Sequence, residues 1–328
     1  MGRYLFIGGT EGNTGPDNVN KGIVSNLPSY FFVISSGNKI KKYVNMLLDV
    51  VRCNAVIVSG ISKIGMYAMK LAKIFGKKTI YIMHGCNEIE FKVNQMPPDE
   101  KALKYEKYFL KFSDLILAVS ERYSKMIKEK YPFCADRMNY LYNGVDEISF
   151  DYNAVQREKG RIIAVGGDQR LKNNMVVANA VAKLDNSKKL MVYGHLYHPD
   201  DLPKGKNIEF KGLVPQKQLY EEMLKSELYV LNSVYESFAL SVFDALLCGC
   251  SILVTNVAGA LELLDVTDHD VIYDPMNTDE IAEKIEYLLQ HPNNERLMKK
   301  LDFDKISYKA EVKRLEQFCE MLCQKSRS

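Results

Sequence analysis

Short apolar runs of strand length, each followed by a segment of helical period, recur along this chain of 328 residues and limit its fold more than anything else in it. In the first half the runs fall at 3–7, 30–35, 55–59, 79–83, 115–119 and 139–142. Helical spacing fills 39–53, 64–75, 99–112 and 121–131. Continuous apolar strands separated by helices belong to a parallel sheet covered on both faces. The sequence then turns polar at 151–160 (Asp151, Asn153, Gln156, Arg157, Glu158, Lys159, Gly160), which reads as an interdomain linker. The pattern restarts with strands at 161–165, 190–193, 207–210, 228–231, 251–255 and 271–273. Helices are expected at 173–184, 216–225, 241–247, 278–290 and 294–301, and an amphipathic segment at 307–323 ends the chain. The expected class is α/β, in two consecutive units with one open sheet each.

Composition removes several functions. Hydrophobic residues make up 47% and charged residues 26%, a globular balance. No apolar run approaches the roughly 18 residues that span a bilayer. Residues 1–8 lack a basic region followed by a long apolar stretch, so no secretory signal is expected. The seven cysteines, at 53, 86, 134, 248, 250, 319 and 323, form no C-x-x-C pair. Neither zinc nor a disulfide framework is supported, and reduced thiols in the cytoplasm are expected. A net charge of +3 gives no reason to expect a nucleic-acid partner. Its distribution is uneven: residues 1–150 hold 21 Lys/Arg against 14 Asp/Glu, the rest 23 against 27, which leaves +7 and −4. The basic half is the one expected to meet something anionic.

Open parallel sheets bind ligands beyond the carboxyl ends of their strands. After the first strand comes Gly8-Gly9-Thr10-Glu11-Gly12-Asn13-Thr14-Gly15-Pro16. It lacks G-x-G-x-x-G spacing, and the second strand ends in Ser35-Ser36-Gly37 without an acid for a ribose, which argues against a nicotinamide dinucleotide. An anion turn or a plain strand-to-helix turn both fit. In the second half Gly166-Gly167-Asp168-Gln169-Arg170-Leu171-Lys172-Asn173 precedes a helix. Two cations beside a glycine turn at a helix start suit a diphosphate, although a solvated loop would look the same. Further on, Glu236-Ser237-Phe238-Ala239-Leu240 leads into a helix with Asp244 among Phe243, Ala245 and Leu246. A buried carboxylate there needs donors, either a ribose diol or protein amides.

These residues resemble glycosyltransferase family 4, the group 1 glycosyl transferases of GT-B fold. The marks are His84-Gly85, Ser120, Asn143-Gly144-Val145-Asp146, the Gly166 turn, Gly212-Leu213-Val214, the Glu236 to Asp244 helix, Cys248-Gly249, and Gly259 to Glu262. The resemblance implies two Rossmann-like domains facing across a cleft. An amino-terminal acceptor domain would cover 1–155 and a nucleotide-sugar domain 156–306, with a helix at about 307–324 packing back on the first. It implies transfer of a sugar, with retention, from a nucleotide diphosphate-sugar such as a UDP-sugar to a glycan or lipid-linked acceptor, in cell-surface polysaccharide or glycoconjugate biosynthesis. Lys172 and Arg170 would neutralise the leaving diphosphate, aided by Gly166. Glu236 would hold donor-sugar hydroxyls; Ser237, Phe238, Ala239 and Leu240 would touch sugar and phosphate. Asp244 would hold the ribose, Leu213 the base, and Gly15 the phosphate, with His84 near the reacting sugar. The chain departs from the family at Gly167, where an arginine is usual, at Asp244, where a glutamate is usual, and at Ser237 and Ala239, where glycines are usual.

No cofactor or metal is expected. Asp268-His269-Asp270 and Asp302-Phe303-Asp304 match a metal-binding D-x-D pattern but lie late in the chain, away from any early nucleotide-binding strand. Competing readings are a nucleotide-sugar epimerase of the same fold and a non-catalytic nucleotide-sugar-binding partner of a transferase complex. Finally, the helix at 99–112 carries Lys101, Lys104, Lys107 and Lys111 on one side, and Ala102, Tyr105, Phe109 and Phe112 on another. That basic side is either solvated or a peripheral contact of the amino-terminal domain with the anionic inner face of a membrane.

Overall fold

The computed structural model describes residues 2–12, 14–34, 38–145, 155–203 and 205–324. Ser35, Ser36, Gly37 and Asp146, and the 151–154 part of the polar segment, lie outside them. The chain divides into two compact units: Met1–Lys92, Pro97–Asp146 and Asp302–Ser328 form one, Val93–Met96 and Glu147–Leu301 the other.

The first unit is built on β1 (Tyr4–Gly8), β2 (Phe31–Val33), β3 (Ala55–Ser59), β4 (Lys78–Met83), β5 (Leu115–Ala118) and β6 (Met138–Tyr140), all parallel, in the order β2-β1-β3-β4-β5-β6. The intervening helices are α1 (Gly15–Asn26), α2 (Lys39–Arg52), α3 (Lys63–Ile74), α4 (Asn87–Val93), α5 (Glu100–Phe112) and α6 (Glu121–Lys130). Strands such as Ala-Val-Ile-Val-Ser in β3 are buried along their whole length. Only a sheet covered on both faces accepts such runs, which is why the helices must lie above and below it.

The second unit repeats the scheme with β7 (Arg161–Val165), α7 (Asn174–Val181), β8 (Lys189–Tyr193), β9 (Ile208–Gly212), α8 (Gln216–Lys225), β10 (Leu228–Leu231), α9 (Leu240–Leu247), β11 (Ser251–Thr255), β12 (Val271–Ile272), α10 (Thr278–Gln290) and α11 (Asn294–Lys300). Its parallel order is β12-β11-β10-β7-β8-β9. The core joins Ile162, Val192, Val230 and Leu253 of the strands to Val177, Ile281 and Ile285 of the helices.

The chain then returns to the first unit through α12 (Phe303–Ile306) and α13 (Tyr308–Gln324), and α13 packs on α1. Where it returns, Glu311 is buried and accepts the Gly144 N–H at 2.7 Å. Desolvation pushes the Glu311 carboxyl up to about 8, against the opposing pull of that hydrogen bond.

Candidate active site

Where strand order reverses in an open parallel sheet, neighbouring connections leave to opposite sides and open a crevice at the strand ends. In the second unit this point lies between β7 and β10. Gly166 and Gly167 follow β7 with φ of +116° and +60°, backbone that side chains rarely adopt. A Cβ on Gly167 would sit 1.9 Å from the His195 carbonyl oxygen, so this turn admits no arginine at that position. The stem of Lys172 crosses Gly166, where a Cβ would come within 2.3 Å of Lys172 Cγ. Lys172 Nζ then donates to Glu236 Oε2 at 2.6 Å. The glutamate arrives from the loop after β10, so this ion pair joins the two strand ends that flank the reversal. Both side chains are largely withdrawn from water, at 23% and 11% exposure. Asn173 and Asn232 each donate to the Pro275 carbonyl, at 2.7 and 2.9 Å, which fixes both loops to a common anchor.

Arg170 takes a different course. It is exposed and lines a cavity of about 400 Å³ together with Asp168, Gln169, Met175, His198 and Met276, whereas Lys172 does not line it. Asp168 is buried, and its two oxygens accept the N–H groups of Tyr197 and His198 at 2.7 and 2.5 Å. It therefore holds the 195–198 segment that closes over Gly167. Sequence reasoning did not single out Asp168; its place directly behind the glycine pair was the available signal.

After Glu236 the chain enters α9. Phe238 is buried and stacks on Phe243 with ring centroids 5.7 Å apart. Ala239 caps the helix at φ +79°, a left-handed conformation that costs a residue with a Cβ about 1–2 kcal/mol. Among the described residues no protein group accepts from the N–H of Ala239 or Leu240. The amino end of a helix carries partial positive charge, so these N–H groups favour an anion.

Asp244 corrects one expectation: it is half-buried rather than buried. Val242, Phe243, Ala245 and Leu246 occupy the core arc of α9, and the 100° step per residue turns Asp244 out of it. There it accepts from Tyr220 Oη at 3.4 Å. Burial, followed by the Asp244 charge, raises the Tyr220 phenol, which stays protonated as a donor. Leu213, just past β9, is 78% exposed. Arg157, read from sequence as part of a polar linker, instead donates to the carbonyls of Ser226 and Gly249 at 2.7 Å and of Cys248 at 2.9 Å, which ties down the carboxyl end of α9.

In the first unit the reversal lies between β1 and β3. Gly15 is the exposed first residue of α1, whose N-cap Thr14 forms a reciprocal capping box with Asp17. Half-buried His84 follows β4, its Nε2 2.7 Å from Ser59 Oγ. Desolvation pushes its imidazole down to about 4, with a smaller opposing pull from Asp17, so it is neutral at pH 7. Buried Glu106 of α5 accepts the Asn87 N–H at 2.8 Å and Nδ2 at 2.9 Å, which holds the turn behind His84.

Among the described residues no three His, Cys, Asp or Glu side chains gather as metal ligands. Asp270 is buried and committed to Thr267, Asn293 and Arg296.

Two family models tile the sequence. Glycosyltransferase Family 4 matches residues 12–147, and Glycosyl transferases group 1 matches residues 146–302. The chain belongs to the group 1, family 4 glycosyltransferases. A Campylobacter jejuni relative of this chain, N-acetylgalactosamine-N,N'-diacetylbacillosaminyl-diphospho-undecaprenol 4-alpha-N-acetylgalactosaminyltransferase, is 25% identical over 243 residues, covering 68% of this chain and 64% of its own. The uncharacterized glycosyltransferase MJ1607 of Methanocaldococcus jannaschii is 23% identical over 58% of this chain and 55% of its own. The chain thus spans less than two thirds of the length of these relatives. Among solved structures, Anabaena Alr3699/HepE in complex with UDP-glucose superposes with a TM-score of 0.72 at 12% identity, covering 98% of this chain and all of the other. WaaG, a glycosyltransferase involved in lipopolysaccharide biosynthesis, gives 0.64 at 15% identity over 94% and 98%. The fold is GT-B, two α/β units with one six-stranded parallel sheet each.

Proposed function

We propose that this glycosyltransferase moves a sugar from a nucleotide diphosphate-sugar, a UDP-sugar, to a lipid-linked or glycan acceptor with retention at the anomeric carbon. The observation that carries the reading is the Lys172–Glu236 pair at the strand reversal beside the amino end of α9. On donor binding the pair divides its work: Lys172 turns to the diphosphate, and Glu236 accepts from sugar hydroxyls. When the bond from the anomeric carbon to the diphosphate oxygen breaks, its electron pair goes to the diphosphate. Lys172 and the N–H groups of Ala239 and Leu240 stabilise that growing charge more than the ground state, which is what accelerates a reaction. The acceptor oxygen then bonds to the same face of the sugar and its proton passes to the departing phosphate oxygen, so no protein nucleophile is needed. Arg170, exposed beside the neighbouring cavity, swings toward the diphosphate as a second cation when donor binds, Asp244 with Tyr220 binds the ribose, and Leu213 flanks the base. Within the first unit, His84 offers a hydrogen-bonding group without charge at the end of β4, and Gly15 opens α1.

The Anabaena structure's UDP-glucose supports the donor class, and the undecaprenol-linked sugar in the Campylobacter name supports the acceptor class. Among the described residues no helix is long and apolar enough to cross a membrane. As part of the same proposal, the first unit contacts an anionic membrane peripherally from the cytoplasm, and the product enters cell-surface glycan assembly. A thermal-shift panel of nucleotide-sugars tests the donor. Ligand at 100 times its dissociation constant stabilises by about 2.7 kcal/mol, and a UDP-sugar is expected to give the largest shift. Product analysis then separates transfer from epimerisation, which would alter the donor with no acceptor present, and from a binding-only role, which would leave the donor intact.

A further inference from the structure

Helix α2 has more apolar surface than its sheet can use. At 100° per residue, its apolar positions sweep an arc of about 200°, roughly twice what a core-facing helix needs. Met46 and Val50 occupy one side of that arc and are buried. Ile40, Val44, Leu47, Leu48 and Val51 occupy the other and face water, Ile40 at 76% exposure. Ile74, the last residue of the neighbouring α3, and Phe75, its C-cap, are exposed as well. Eight of the eighteen large apolar side chains exposed among the described residues fall within 40–75. Between α2 and α3 runs a groove of about 410 Å³ lined by Tyr43, Met46, Leu47, Tyr67, Lys70 and Leu71.

Charge identifies the partner. The three crossovers β2–α2–β3, β3–α3–β4 and β4–α5–β5 run in one direction across the sheet, so right-handed connections place all three helices on one face, with α3 touching both others. These helices carry four, three and four Lys/Arg against one, none and two Asp/Glu, and Glu106, one of the last two, is buried. On α2 the exposed cations Lys41 and Arg52 border the apolar stripe directly. A second copy meeting this face about a two-fold axis would set lysine against lysine. An apolar stripe edged by cations instead matches a bilayer, with anionic headgroups outside an acyl interior.

We propose that the α2–α3 face, flanked by the lysines of α5, docks flat on an anionic lipid bilayer with the outer stripe of α2 inserted below the headgroups. This deepens the membrane contact proposed above by making the apolar stripe, rather than the α5 lysines, the anchor. The chain contains no tryptophan, so Leu48→Trp supplies a single reporter. Its fluorescence is expected to shift to the blue on adding phosphatidylcholine vesicles that contain phosphatidylglycerol, and not on adding pure phosphatidylcholine at the same salt. In co-sedimentation, the triple variant Leu47→Gln, Leu48→Gln, Val51→Gln is expected to bind the anionic vesicles at least tenfold more weakly than wild type. Because those side chains already face water, its melting temperature and its UDP-glucose thermal shift should match wild type. Equal vesicle binding by the triple variant, or loss of binding only when the α5 lysines are changed to Gln, would overturn the proposal. So would a blue shift that appears without vesicles as protein concentration rises, which would mean self-association. Failure of wild type to bind nucleotide-sugars would instead remove the functional reading and leave the docking result standing.

Discussion

Helices α2 and α10 cover equivalent sheets in the two units, with 14 and 13 residues, yet they spend their apolar residues differently. The apolar arc of α10, Ile281, Ala282, Ile285 and Leu288, is buried against its own sheet, and Asp279, Glu283 and Glu286 face water. The apolar arc of α2 is wide enough to serve its sheet and a second surface. The strand reversals differ in the same sense. The second unit places the Lys172–Glu236 ion pair there, while in the first a neutral His84 closes the neighbouring strand end. One α/β plan thus yields an ion pair at the strand ends of the second unit and an exposed apolar stripe on a helix of the first.

The largest expected effect tests the charged end. Lys172→Ala is expected to lower the rate of sugar transfer by two to three decades, about 3–4 kcal/mol in the barrier, with an unchanged circular dichroism spectrum. His84→Gln, which removes no charge at pH 7, should cost less; equal losses would erase the difference between the two ends. A next, smaller effect concerns stability within the first unit. Glu311 is protonated when folded up to about pH 8 but ionises near its ordinary value of 4.5 when unfolded. Between those limits the folded state holds the extra proton, so its contribution is full below 4.5 and is lost as pH rises toward 8. Denaturant unfolding should show a decline of the order of a few kcal/mol from pH 5 to 8, absent in Glu311→Gln. His84 has the opposite sign. Its folded value of about 4 lies below the ordinary 6.5, so its contribution is present above 6.5 and is lost as pH falls toward 4. His84→Gln should flatten that acid limb. The smallest effect is at Ala239: because φ is +79° there, Ala239→Gly should stabilise the protein by about 1 kcal/mol, read as a rise in melting temperature.

The strands and the order of helices were legible because apolar runs and helical spacing are local properties. The short α4 was missed, since seven residues offer too little periodicity. The side a residue takes on its helix was harder. Asp244 has apolar neighbours in sequence and reads as buried, but its angular position carries it out of the core. On α2, sequence marks a broad apolar arc without telling which half meets the sheet, whereas the lysines of α5 stand out by spacing alone. Those lysines are indeed exposed, whereas Tyr105 and Ala102 are only half-buried beside them. Glu311 was invisible for another reason: its burial exists only because the chain returns to the first unit after the second is complete. At the candidate site, the glycine pair and Lys172 were readable from spacing, but the Lys172–Glu236 contact spans 64 positions and no local pattern records it.

Calorimetric titration of UDP into wild type, Lys172→Ala and Glu236→Gln addresses the central claim most directly. If the lysine at the β7–β10 reversal grips the diphosphate, Lys172→Ala should weaken UDP binding at least tenfold, while Glu236→Gln, which releases the lysine from its partner, should leave it equal or tighter. UDP binding of wild-type strength in Lys172→Ala would contradict the account.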